Sequence, residues 1–162
     1  MKRFMLGTIA GVTLALVGVI AMDTAPAVAH DHVIKERIDL MRKGVLGNFK
    51  VIKAFVKDGK GSMADVEKAA KGVQAAAAKV PALFPKGTGR PDVDKKKTRS
   101  LAKIWEDWAT FEKVNNAMAS HAGAVAAAAA KGDADGVKKS FGMMGKEGCG
   151  GCHKPFRGPK AK

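Results

Sequence analysis

The chain has 162 residues, with 29 Lys and Arg against 15 Asp and Glu, a formal net charge of +14 at neutral pH. That length suits one domain with one core. In a cytosolic protein such basicity would point to nucleic acid. An export signal at the N-terminus excludes that partner and leaves acidic proteins or anionic headgroups as the counterparts to expect.

The signal comes first in the chain. Met1-Lys2-Arg3 is a basic start, Phe4 to Met22 is apolar apart from Thr8 and Thr13, and Ala27-Val28-Ala29 is an A-x-A-like cleavage site. The apolar run is near the length of a membrane span, but the Ala-Val-Ala site favours a signal peptide over residues 1–29, cleaved after Ala29. The single domain is then residues 30–162, with no stable membrane insertion. Removing Lys2, Arg3 and Asp23 leaves 27 basic residues against 14 acidic ones. The new N-terminus would read His30-Asp31-His32. A free amine with histidine at the third position suits square-planar Cu(II), and a frayed polar end is the simpler reading.

From His32 to Lys57 the residues Ile34, Ile38, Met41, Val45, Phe49, Ile52 and Val56 recur at steps of three and four, the stripe of a helix facing a bundle seam. Gly59 and Gly61 end that helix. Ser62 and Asp65 form a capping-box signal for a second, Ala-rich helix from about Met63 to Lys79, which Pro81 stops. Residues 81–99 form a long connection holding Pro85, Gly87, Gly89, Pro91 and Lys95-Lys96-Lys97. The lysine run reads as a solvated face. A third helix, about Ser100 to Lys131, carries Leu101, Ile104, Trp105, Trp108, Phe111, Val114 and Met118 at helical spacing. Asp133 can cap a fourth, from Ala134 to about Phe156. No strand pattern occurs, so the class is all-α.

The fourth helix contains Gly136, Gly142, Gly145, Gly148, Gly150 and Gly151, a poor composition for an isolated helix. It also contains Cys149-Gly150-Gly151-Cys152-His153, with the only two cysteines of the chain. This is the C-x-x-C-H spacing of c-type haem attachment. Two thiols add to the two vinyl groups of one haem, and the adjacent imidazole takes an axial position on the iron. On a helix the three side chains share a side. A redox disulfide would expect a βαβ setting, and a zinc site would need a second ligand pair; neither is present in the sequence. A flat macrocycle lying against the backbone near Gly142 and Gly145 would account for the glycines.

With the motif on the last of four helices, the chain resembles the class II c-type cytochromes. The likeness extends to Cys149-Gly-Gly-Cys-His-Lys-Pro-Phe-Arg157, to Lys103-Ile104-Trp105 and Phe111, and to Arg37 through Met41. Pro155 departs from the pattern and is expected to end or bend the helix near the haem. The resemblance implies an antiparallel up-down-up-down four-helix bundle with one covalent haem c near one end. It implies attachment at Cys149 and Cys152, His153 on the iron, and Arg37 near a propionate. Phe156 and Arg157 would lie on the proximal side. A periplasmic location follows from export, and a homodimer through the first two helices is compatible with the family.

The family has two branches. Cytochromes c′ are high-spin, leave the sixth iron position empty behind an apolar residue and bind NO and CO. Relatives of cytochrome c-556 fill it with a methionine and carry electrons. Met41 matches that position, and a Met/His pair raises the potential. The expectation taken is therefore a low-spin electron carrier with His153 and Met41 on the iron, acidic redox partners and no enzymatic activity. The alternative is a five-coordinate cytochrome c′. His121 is a lesser candidate for the sixth ligand, and Trp105, Trp108 and Phe111 are core residues.

Overall fold

The computed structural model describes residues 27–161. The predicted leader, residues 1–29, lies outside them except for Ala27–Ala29, which fall in the first turn of helix. Four helical rods account for most of the chain. The first consists of α1 (Ala27–Asp39), a π-helical segment (Leu40–Gly47) and α2 (Asn48–Asp58). It is continuous, because Asp39 and Asn48 both hold right-handed helical dihedrals at the joins. Gly59 stops it at φ 63°, its N–H reaching the carbonyls of Ala54 and Phe55. Such a left-handed C-terminal residue is where glycine is favoured.

The predicted capping box begins α3 (Met63–Lys79): the Ser62 hydroxyl accepts from the Asp65 N–H, and the Asp65 carboxylate accepts from the Ser62 N–H. A 3₁₀ turn at Pro81–Leu83 opens the long connection. The third rod departs from the expected unbroken helix. Ser100 and Leu101 are held in isolated bridges to Arg157 and Arg90, and helix begins only with α4 (Lys103–Glu106). Asp107 then leaves helical geometry (φ −132°, ψ 56°), and its side chain accepts from Thr110 N–H to cap α5 (Trp108–Ala130). A short aspartate that bonds the backbone two or three residues on competes with the helix ladder, and here it wins.

Gly132 (φ 70°) turns the chain, and Asp133 caps α6 (Ala134–Met143) through Gly136 N–H at 2.8 Å. A second π-helical segment (Met144–Cys149) follows, then α7 (Gly150–Phe156). Helix continues one residue past Pro155, and the chain leaves Arg157 extended.

Two cores fill the bundle. The larger joins Ile52, Val66, Val73, Met118, Val125, Val137, Phe141 and Met144 to buried alanines of α3 and α5. Small side chains on both helices let these two backbones approach closely. The second surrounds Val80, Ile104, Phe111 and Phe156, with Leu40, Met41, Phe84, Trp105, Trp108, Val114 and Cys152 packed against it. In the first rod only Ile34 and Ile52 of the predicted stripe are buried. Met41, Val45, Phe49 and Val56 are half-buried, and Leu46 and Val51 are 46% and 41% exposed. The wider π turn between Leu40 and Gly47 rotates the stripe away from the 3.6-residue register.

Candidate haem site

Cys149 closes the π-helical segment and Cys152 lies in α7, so the two thiols sit one helical turn apart. Cys149 packs on the larger core and Cys152 on the smaller, placing the pair at the boundary between them. Both are free thiols, and burial pushes both pKa values up, that of Cys152 to about 11. Neutral thiols of this kind are poor redox nucleophiles. Among the described residues no three His, Cys, Asp or Glu converge, so the pair lacks the partners of a zinc site.

His153 follows at the surface of the last turn. Its pKa is pushed down, first by the burial it does have and then by the positive charges of Arg157 and Arg99. The neutral imidazole, which is the form that binds iron, is thus favoured. Arg157 is near enough for its charge to act on this imidazole. Phe156 is buried and meets Phe111 edge-on at 5.5 Å, and Phe111 in turn packs against Phe84 and Trp108.

Two of the glycines answer to packing within the chain. A Cβ on Gly148 would lie 2.6 Å from the Cα of Met118, and one on Gly151 would lie 3.1 Å from Val114 Cγ1. These bare positions let the motif press against α5. Gly142 and Gly145, where the macrocycle was expected, have open space on their Cβ side and line a groove of about 460 Å³ with Phe49 and Phe141.

Arg37 is only 4% exposed. Its guanidinium donates to the Thr88 carbonyl at 2.9 Å, Thr98 Oγ1 at 3.1 Å, Thr88 Oγ1 at 3.3 Å and the Leu83 carbonyl at 3.4 Å. It also lies over the Phe84 ring, 4.4 Å from the centroid. Every one of these partners is neutral. A buried cation without an anion is costly, and burial pulls its pKa down to about 10. The donor set and the missing counter-charge fit the propionate of a haem. Thr88 and Thr98, which hold this guanidinium, were not foreseen: they sit in the Gly- and Pro-rich connection, where a threonine carries no sequence signal of its own.

Met41 and Cys152 are brought to the same apolar cluster. Trp105 spends its indole N–H on the Phe84 carbonyl at 2.8 Å. His121, the lesser ligand candidate, instead engages Glu147 of the π segment, Nε2 to Oε2 at 2.9 Å. His30 to His32 lie within α1, and Asp31 pairs with Lys97 at 2.7 Å.

A family model described as Cytochrome C′ matches residues 32–157. The chain belongs to the cytochrome c′ family. The cytochrome c′ of Rhodopseudomonas palustris is 32% identical over 149 residues, covering 90% of this chain and 95% of that one. The crystal structure of cytochrome c′ from Thermochromatium tepidum superposes with a TM-score of 0.71 at 30% identity, over 80% of this chain and 97% of its own. A nitric oxide complex of a variant cytochrome c prime from Alcaligenes xylosoxidans shares the fold, with a TM-score of 0.68 at 23% identity over 80% of this chain and 97% of that one. Membership carries with it the four-helix bundle and one covalent haem c.

It also corrects the expectation of a low-spin electron carrier with Met41 on the iron. Of the two branches, cytochrome c′ is the one that leaves the sixth position empty, and this family and its relatives are where the chain falls. Met41 packs, half-buried, against the apolar cluster that also takes Cys152. A thioether at helical spacing satisfies a packing role and a ligand role equally well, which is why its spacing misled. Among the described residues no helix is long and apolar enough to cross a membrane.

Proposed function

We propose that this chain is a periplasmic, high-spin haem protein that binds NO or CO at an open iron position. Cys149 and Cys152 would hold the haem through thioethers, His153 would supply the imidazole to the iron, and Met41 would line the gas pocket as an apolar wall rather than a ligand. One observation carries the reading. Leu40, Met41, Val80 and Ile104 share one apolar cluster with Cys152, and the nearby indole N–H of Trp105 is already committed to a carbonyl.

Haem, when bound, would supply an iron able to take up a diatomic gas. The residues determine what reaches it. An apolar wall whose Trp105 donor is already engaged gives little help to the polarised oxygen of bound O₂, whereas NO and CO need no such donor. The same wall excludes water and anions from the vacant side. Arg37 would neutralise a propionate, and Arg157 flanks the proximal imidazole.

At the level of assembly, Leu46 and Val51 of the first rod are exposed and suit a homodimer face. A related cytochrome c′ structure, 28% identical, is described as having a ligand-controlled dimer dissociation, and the same behaviour is proposed here. The basic surface steers partners with acidic faces toward the haem.

The test is Met41→Ala in the haem-loaded protein. The spin state should remain unchanged and CO association should accelerate, because a side chain has been removed from the wall. Conversion from a low-spin to a high-spin spectrum on that substitution would identify Met41 as a ligand and overturn the proposal.

A further inference from the structure

The segment that follows the axial histidine is held by the connection, not by its own helix. α7 spans Gly150–Phe156 and includes Gly150, Gly151 and Pro155, so its intrinsic helical stability is poor. Its end is completed from outside. Leu101 N–H donates to the Phe156 carbonyl at 3.1 Å, and Gly158 N–H donates to the Arg99 carbonyl at 2.7 Å. The Arg99 side chain returns through Nε to the Gly158 carbonyl at 2.8 Å. Ser100 and Arg157 thereby face one another as an antiparallel pair. Gly158 is buried in this clasp: a Cβ there would lie 2.9 Å from Leu101 Cδ2 and 3.0 Å from Arg90 Nη1.

The other edge of the same segment reaches the opposite end of the site. Arg90 N–H donates to the Ser100 carbonyl at 2.8 Å, and Arg90 Nε donates to the Thr98 carbonyl at 2.8 Å. Thr98 Oγ1 accepts from both Ser100 N–H and Arg37. Residues 98–101 thus join the propionate-side arginine to the tail behind His153.

We infer that Arg99 is a positioning residue for the proximal ligand: by clasping Gly158 it holds the last turn of α7 in place and keeps the His153 imidazole aimed at the iron. The inference rests on the assignment of His153 as ligand and does not depend on whether the sixth position is empty. The side chain also brings a fixed positive charge to the proximal side, which disfavours Fe(III) relative to Fe(II).

The experiment compares native haem-loaded protein with Arg99→Ala, Arg99→Lys and Gly158→Ala. Amide exchange at Leu101 and Gly158 reports the clasp, and the iron–histidine stretching band of the ferrous protein reports the ligand. In Arg99→Ala and Gly158→Ala the two amides should exchange about tenfold faster, and the band should shift and broaden. The reduction potential should fall in Arg99→Ala alone, where the charge is lost. Arg99→Lys should restore the potential and most of the band. A native-like band in both alanine variants, with or without faster exchange, would overturn the inference while leaving His153 as ligand. Absence of the band from the native protein would remove the ligand assignment and the inference together.

Discussion

A guanidinium buried among carbonyls and hydroxyls makes Arg37 the tie between the first rod and the long connection. It donates to the Thr88 carbonyl at 2.9 Å and to Thr98 Oγ1 at 3.1 Å, and removing it takes from the Thr88 carbonyl this buried partner, while Thr98 Oγ1 keeps only the Ser100 N–H. Arg37→Gln in the haem-loaded protein should lower unfolding free energy by about 1–3 kcal/mol. A urea midpoint equal to that of the native protein would contradict the role. His153 makes a different prediction. Its pKa is lower in the folded chain than in the unfolded one, so below the ordinary histidine value the unfolded state takes up a proton that the folded state resists. Stability of the haem-free chain should therefore be complete above about pH 6.5 and decline as the pH falls below it. His153→Gln should flatten that limb of a urea titration against pH, and an undiminished acid limb would show that other groups cause it.

At the scale of elements, both π-helical segments flank the site, one beginning beside Met41 and the other ending at Cys149. Such segments recur at functional positions because they offset side chains from regular helical register. Neither was legible in the sequence, since each is made of residues that also suit an α-helix. The ends of the rods were the legible part: the Ser62 box, Gly59 and Asp133 all lie where expected, whereas the first-rod stripe is only partly buried and the third rod is broken at Asp107. Asp107 was not recognised as a cap, because an aspartate inside an apolar-periodic run looks like a solvated helix position until the backbone around it is seen.

The glycines of the fourth rod separate cleanly by what they touch. Gly148→Ala would drive a methyl into the backbone of Met118 and should cost about 1–3 kcal/mol. Gly142→Ala enters open space inside α6 and should gain up to about 1 kcal/mol from helix propensity. Thermal unfolding of the two variants checks the contrast, and equal effects of the same sign would contradict the packing described.

For the molecule as a whole, the all-α class and the haem motif followed from local pattern because each is encoded within a turn or two of helix, and the bundle followed from the resemblance that the motif's place on the last helix carries. What joins the two faces of the site did not. Thr98 lies 61 residues from Arg37 and Arg99 lies 59 from Gly158, and no periodicity relates positions so distant. The spin state was equally hidden, since Met41 has the same spacing whether it packs or ligates. The visible spectrum of the ferrous native protein, recorded before and after addition of CO, tests the account most directly. The account predicts a broad high-spin spectrum that converts at once to a CO adduct. A sharp, split low-spin α/β pair that CO fails to alter would contradict it.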